Sequence, residues 1–325
     1  MSSLNVAIVA QKGRIGYQAL LSAASIREHH PAADVRIHIC IPNSSELWVD
    51  NPGIEDPALI RAFERYSCEL VHFENADFGS NYPHSNKFYS ILSLPPQEPF
   101  LFLDSDTLLL RPIRPDDFNF AVPGLKAAGP SWPIVGRSFS IKDIWESLYA
   151  FFGLEALPYR DDSQGADPHQ LYPYYQGNVM YYARAGVFGE TMLEMAKQLW
   201  QHQPEPVRDQ PLKPWLDQIV LPLLLAKLGV PRRGSGDPIR KVITHYEFPF
   251  FLLVQNRAAI SCFATLSKDH SLLSVLQHDR GFAYYLSNEG REFVERSHAE
   301  FMNSFKKWDR RRFKEFMRRR APMLR

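Results

Sequence analysis

The sequence predicts an α/β protein: a central, mostly parallel sheet flanked by helices, in a single domain with a C-terminal helical extension. Three observations carry this expectation. Over the first hundred residues short strand-like runs alternate with stretches of helical periodicity, the order that builds parallel sheets. No internal repeat and no low-complexity linker divides the 325 residues. That length leaves ample material for one buried core.

In order, residues 4–11 (LNVAIVAQ) read as a first strand. Residues 15–31 carry apolar side chains at helical spacing and stop at Pro31. Residues 34–42 alternate as a strand, 57–66 are helical and 68–73 a third strand. Residues 85–94 form a helix that ends before Pro95-Pro96, and 99–104 (PFLFLD) a fully buried strand. The second half is less regular. Residues 123–175 are rich in Pro, Gly and aromatics, with a helix over 141–153. Residues 177–201 read as strand, turn and amphipathic helix, and 213–229 as a further helix. A basic, Gly-containing turn follows at 231–236, then an extended segment over 241–251 that contains His245. The alternation does not restart, which favours a body over 1–255 and a helical extension over 256–325.

Bulk properties narrow the class. At 45% hydrophobic and 22% charged residues the composition is that of an ordinary globular protein. Cys40, Cys68 and Cys262 are odd in number and far apart, so they suggest neither a disulfide framework nor a CxxC metal pair, and point to a reducing compartment. The N-terminus has too short an apolar stretch for a signal peptide. No run approaches the roughly 20 apolar residues of a spanning helix; residues 219–230 are shorter and contain Pro222. A cytoplasmic protein is expected.

The net charge of +1 is unevenly spread, with ten Lys and Arg in residues 306–325 against Asp309 and Glu315. Residues 301–320 place Phe301, Phe305, Trp308, Phe313, Phe316 and Met317 on about half a helix and most cations on the other half. Such a helix suits an anionic membrane surface, making residues 301–325 a candidate peripheral anchor at the inner face of the membrane. Docking of the aromatics on the body is the alternative. No module for nucleic acid accompanies the charge, so nucleic acid is not expected as a partner.

The chemistry concentrates in FLFLDSDTLLLRP, residues 100–112. Asp104 and Asp106 lie where a buried strand ends, and open α/β sheets bind ligands outside the carboxyl ends of their strands. Two carboxylates this close repel, and one tends to hold its proton. A divalent cation such as Mn²⁺ or Mg²⁺ removes that cost and can bridge phosphate oxygens. A solvated turn is the simpler alternative, but the apolar runs on both sides argue against simple exposure.

Residues 86–113 resemble the DxD segment of GT-A nucleotide-sugar glycosyltransferases, whose fold is Rossmann-like. Within them the segment is most similar to the glycogenin-like and bacterial galactosyltransferase group, glycosyltransferase family eight. The resemblance runs over about residues 4–250 and is absent from the basic tail. It implies a nucleotide-sugar donor, UDP as its base, a glycan or lipid-linked acceptor and retention of configuration. It also implies that Asp104, Asp106 and His245, in ITHYEF (243–248), ligate the metal, with Asp104 also near the donor ribose. Ala10, Lys12, Arg14 and Lys87 would contact the donor. Asn178, in YYQGNVMYY (174–182), and Asp217, in WLDQIVL (215–221), would hold the donor sugar, with Gln218 close to the anomeric carbon.

Taken singly, each of these residues also suits a plain structural role. Lys87 is a phosphate counter-charge or a surface lysine, and Asn178 a hydroxyl reader or a satisfied core amide. Asp217 and Gln218 could be first-turn helix polarity, and His245 a hydrogen-bonded core histidine. One departure stands out. The family carries G-x-x-K-P-W after its metal histidine, with the lysine on the pyrophosphate; here YEFPFF follows, and the Lys-Pro-Trp at 213–215 lies earlier. Lys12, Arg14 or another basic residue must then grip the diphosphate.

The aromatics Trp132, Trp145, Tyr149, Tyr159, Tyr172, Tyr174 and Tyr175 could form an acceptor wall or serve as ordinary core. Three rival functions remain. A haloacid-dehalogenase-type phosphatase also has D-x-D after a buried strand, but Leu108 stands where it needs Thr or Val. A sugar-phosphate nucleotidyltransferase needs a Gly-rich, Arg-containing loop that residues 10–18 match poorly. A catalytically degenerate sugar-nucleotide-binding protein is the third.

Overall fold

A computed structural model gives the fold and describes residues 4–127, 131–134, 138–156, 172–230, 239–305 and 307–320. The first half alternates as β1 (Leu4–Val9), α1 (Arg14–Arg27), β2 (Val35–Pro42), α2 (Pro57–Arg65), β3 (Cys68–Phe73), α3 (Asn86–Leu92) and β4 (Phe100–Leu103). Then follow β5 (Thr107–Leu109), β6 (Gly124–Ala127), α4 (Ile141–Phe151), β7 (Tyr175–Tyr182), α5 (Ala185–Gln201), α6 (Glu205–Arg208) and α7 (Leu216–Lys227). The chain continues as α8 (Ile239–Val242), β8 (Ile243–His245), α9 (Phe251–Val254), α10 (Arg257–Leu266), α11 (His270–Leu276), α12 (Arg280–Leu286), α13 (Asn288–Phe305) and α14 (Arg310–Arg320). The expected basic turn at 231–236 lies outside the described residues, as does Tyr159.

Six strands form one sheet in the order β3-β2-β1-β4-β7-β6. The pairs β1–β2, β2–β3 and β1–β4 are parallel, as expected; β7 runs antiparallel to β4 and to β6. From β1 the chain builds outward to β3, then returns to lay β4 on the other side of β1. That reversal opens a crevice between the carboxyl ends of β1 and β4, the place where such sheets bind ligands.

Side-chain alternation along β4 explains why FLFL is apolar throughout. Leu101 and Leu103 enter one core with α1 and the C-terminal helices, while Phe100 and Phe102 enter a second core with α3, α5 and α7. A strand covered on both faces has no solvent side to make polar. Residues Phe263, Phe282, Tyr285, Phe301, Phe313 and Met317 share the first core with Val6 and Ile8 of β1, and the C-terminal helices reach it over α1, α2 and β5.

Two expectations are corrected here. The extended segment over 241–251 is a strand only at Ile243–His245, which pairs with Thr107–Leu109 in a separate two-stranded sheet. The tail is two helices, not one, and Phe301, Phe313 and Met317 are fully buried in the core. These three of the six apolar residues therefore dock on the body, while Trp308 and Phe316 are half-buried and Phe305 stays 44% exposed. No helix among the described residues is long and apolar enough to cross a membrane.

Candidate active site

The DxD turn is built from both ends. The backbone N–H of Asp104 donates to the carbonyl of Asn178 (2.9 Å), extending the β4–β7 pairing one residue past the strand. The Thr107 hydroxyl donates to the Asp104 carbonyl (2.7 Å), and the Tyr246 N–H to the Asp106 carbonyl (2.9 Å). The small β5–β8 sheet sets Thr107 opposite His245, and so brings the histidine beside Asp106 from far along the chain. Ligand atoms of Asp104, Asp106 and His245 all lie within 4.8 Å of one another, and His245 Nε2 is 2.9 Å from Asp106 Oδ1.

The electrostatics of the trio are those of a site short of positive charge. Burial raises the Asp104 carboxyl; Lys87 opposes that, and the Asp106 charge adds to it. Burial also works against ionised Asp106, but the charge and hydrogen bond of His245 outweigh it and hold this carboxyl below its ordinary range. Two hard carboxylate oxygens with one imidazole nitrogen form a donor set that suits Mn²⁺ or Mg²⁺. The residues fit the cation that the sequence implies.

Lys87 sits at the centre of a second cluster. Its ammonium contacts Asp104 (3.1 Å), Asp217 Oδ2 (3.1 Å) and the carbonyl of Gly177 (3.0 Å). An ammonium has three protons, so these acceptors occupy it. Two carboxylates drive its pKa up against the burial that lowers it. The other oxygen of Asp217 lies 2.8 Å from the Tyr82 hydroxyl, which accepts from the Asp217 N–H (2.9 Å). Both oxygens of this buried carboxylate are thus held by fixed partners. Gly177 completes the cluster: a Cβ there would lie 2.6 Å from Asp217 Oδ2, so only glycine lets the strand approach this closely.

A cavity of about 710 Å³ opens over these groups, lined among others by Gln11, Gln18, His84, Lys87, Asp104, Asp106, Asp217, Gln218, His245, Glu247 and Lys314. Gln218 faces it half-buried, with no side-chain hydrogen bond to the described residues. Asn178 does not line it. Its amide nitrogen reaches Gln176 (3.3 Å), while its buried Oδ1 has no partner among the described residues. Ala10 is fully buried behind the cavity, and its neighbours Val9 and Gln11 form the wall.

Lys12 and Arg14 are elsewhere. They line a separate cavity of about 660 Å³, where Lys12 pairs with Glu55 (2.8 Å) and Arg14 with Asp279 (3.5 Å). Neither is brought to Asp104, and both charges are already matched. The expected acceptor wall also dissolves. Trp132, Trp145, Tyr149, Tyr172, Tyr174 and Tyr175 are all buried in the second core, with Trp132 and Trp145 edge-to-face at 5.3 Å.

Sequence reasoning missed Tyr82, Gly177, Glu247 and Lys314. Glu247 stands two residues after His245, so the histidine segment carried a signal for it. Its backbone is left-handed (φ 67°), with its carbonyl held by Gln18 (3.0 Å). Tyr82 and Lys314 have no local pattern that sets them apart.

Residues 6–229 match the family described as the Rhodobacterales glycosyltransferase domain. The chain belongs to that family. This glycosyltransferase has the mostly parallel, helix-flanked sheet expected of a GT-A chain, with its acids at the switch point. Similar solved structures include the galactosyltransferase LgtC in complex with donor and acceptor sugar analogues, at 13% identity. That similarity covers 82% of this chain and 96% of that one, with a TM-score of 0.45. GlyE of Streptococcus pneumoniae TIGR4 is 15% identical over 85% of this chain and 62% of its own, with a TM-score of 0.43. The bifunctional glycosyltransferase WbbM is 11% identical over 86% of this chain and 52% of its own, with a TM-score of 0.44. No curated protein matches the sequence. Family membership sets the phosphatase and nucleotidyltransferase readings aside.

Proposed function

We propose that this glycosyltransferase moves a sugar from a nucleoside-diphosphate donor, UDP by sequence resemblance, to a hydroxyl of a glycan or lipid-linked acceptor, with retention and with a divalent cation. The observation that carries the reading is the convergence of Asp104, Asp106 and His245 at the carboxyl end of β4. Those three residues would hold Mn²⁺ or Mg²⁺. When bound, the ion supplies positive charge for the diphosphate as the glycosidic bond to it breaks.

The protein's own groups do the rest. Lys87, with its protons taken by Asp104, Asp217 and Gly177, acts as a positioning residue: it ties the metal side of the site to α7 and fixes both carboxylates. Asp217 faces the cavity with oxygens that can each accept one more hydrogen bond, and so receives sugar hydroxyls. Gln218, the next residue and without a side-chain partner among the described residues, lies against the reacting face of the sugar. Asn178 would serve the sugar from β7 through its unpartnered Oδ1. In the transfer the acceptor oxygen bonds to the anomeric carbon, and the carbon–oxygen bond to the β-phosphate breaks with its electron pair on the phosphate. The acceptor proton passes to that departing oxygen. Positioning of this kind lowers the barrier by removing translational freedom beforehand.

The test is a transfer assay with UDP-sugars and Mn²⁺, alongside melting of the protein with nucleoside diphosphates with and without the metal. Stabilisation by one diphosphate only when Mn²⁺ is present, and its loss in Asp106→Ala, is the expected result. Metal-dependent transfer that survives Asp106→Ala refutes the proposal, and binding without transfer would favour the degenerate, binding-only alternative.

A further inference from the structure

The donor cavity is lined by four carboxylates, Asp104, Asp106, Asp217 and Glu247, yet it must receive a diphosphate. Lys87 has no proton to offer, and Lys12 and Arg14 lie in another cavity. The remaining lysine on the cavity wall comes from the far end of the chain. Lys314 of α14 reaches Glu247 (3.1 Å) and stands over the Phe248 ring at 4.5 Å. Its register is fixed from both sides, because Phe313 before it and Met317 one turn later are fully buried in the core. One of its three ammonium protons meets Glu247, which leaves two for a ligand.

One turn earlier, Arg310 donates from Nη1 to the carbonyl of His245 (3.0 Å), and its guanidinium lies 4.8 Å from the centre of the Phe251 ring. Its Nε stands 3.8 Å from Glu247 Oε1, an ion pair too long for a hydrogen bond, and Nη2 has no hydrogen-bond partner among the described residues. A helix that served only to cover the core would not bring two cations, one turn apart, to the segment holding a candidate metal ligand.

We propose that α14 is part of the donor site: Lys314 binds the diphosphate oxygens of the nucleotide sugar, and Arg310 is a positioning residue that holds the His245–Glu247 segment for it. This rests on the reading of the cavity as a nucleotide-sugar site. In the free protein Glu247 keeps Lys314 in place, and in the complex the ammonium shares its protons between Glu247 and a phosphate oxygen. The basic tail is thereby a working part of the enzyme.

The test is calorimetric titration of UDP, GDP, CDP and ADP, and of the matching monophosphates, in Mn²⁺ buffer. The proteins are the full chain, Lys314→Met, Lys314→Gln, Lys314→Arg and Arg311→Ala, a control for an exposed cation on the same helix. Met and Gln both keep helix propensity, and melting of each variant is measured alongside. One diphosphate should bind the full chain, and both neutral variants should weaken it about tenfold or more, the scale of a charge-assisted hydrogen bond. The monophosphate should lose less than half as much in logarithmic terms, Lys314→Arg should retain most of the affinity, and Arg311→Ala all of it. Equal diphosphate affinity in the folded Met and Gln variants overturns the role of Lys314 and leaves the cavity reading intact. Failure of every diphosphate to bind the full chain overturns both.

Discussion

Replacing Lys87 by Met should destabilise the protein far more than loss of a surface lysine. The side chain is 12% exposed and stands between Asp104 and Asp217, the latter only 2% exposed. Met preserves most of the stem's volume, so the loss is mainly the counter-charge for two buried carboxylates and the hydrogen bond to the Gly177 carbonyl. Removing one partner of a buried pair leaves the other charge uncompensated and costs about 3–5 kcal/mol. The upper part of that range is expected for Lys87→Met, because two acids depend on one ammonium and water reaches Asp217 poorly. Urea unfolding at neutral pH measures it, with a shift in midpoint at unchanged slope. The double variant Lys87→Met/Asp217→Asn removes one of the stranded charges and should recover at least about 1 kcal/mol relative to the sum of the single changes. A loss under about 1 kcal/mol for Lys87→Met, with additive behaviour in the double variant, would refute the role given to this lysine as the electrostatic centre of the site.

Two further changes probe other parts of the structure. Gly177→Ala places a methyl 2.6 Å from Asp217 Oδ2, which Tyr82 and Lys87 prevent from yielding; overpacking should cost about 1–3 kcal/mol, and transfer should fall about 100-fold through displaced groups. Initial rates and melting read both, and a fully active Ala variant would contradict the close approach. Acid stability should depend on Asp269, which caps α11, accepts from the Tyr66 hydroxyl (2.6 Å) and pairs with Arg65 (3.2 Å). Burial raises its carboxyl, but the bonds from Ser271, Tyr66 and the Leu272 N–H and the charge of Arg65 outweigh it, lowering the pKa to about 2. The folded value lies below the unfolded one of 3.8, so the stabilisation is complete above about pH 4 and is lost as pH falls through about 2. For a side chain 37% exposed, solvent screening cuts the effect to about 1 kcal/mol. Asp269→Asn should therefore lower the melting temperature at pH 7 and match the parent near pH 2, and an equal deficit at both pH values would rule out the charge as its cause.

What the sequence disclosed, and what it hid, follows from how far apart the partners lie. The DxD turn was legible because its evidence is local: a doubly covered strand must be apolar, so two acids at its end break a strong pattern. The β1–β4 order was legible for the same reason, each strand and helix being announced by its own periodicity. Lys87 was singled out but its partners were not, since they stand at 104, 177 and 217 and only the fold brings them together. For the aromatics of 132–175 the sequence left an acceptor wall and ordinary core both open, because a stacking surface and a core have the same composition, and the described Trp and Tyr among them lie in the second core.

The C-terminal tail shows the limit most clearly. An amphipathic pattern states that one face of a helix will be covered and leaves open what covers it. Lipid, a partner and the protein's own body all satisfy Phe301, Phe313 and Met317 equally well in terms of transfer from water. The tertiary structure chooses the body, and that choice reverses the meaning of the charges. Cations on a membrane-bound helix would face lipid headgroups, whereas with Phe313 and Met317 docked on the body Arg310 and Lys314 are turned to His245 and Glu247. The missing diphosphate grip and the unassigned basic tail are then one question. A lysine 67 residues beyond Glu247 can reach the cavity wall only because buried Phe313 and Met317 on its own helix hold it there.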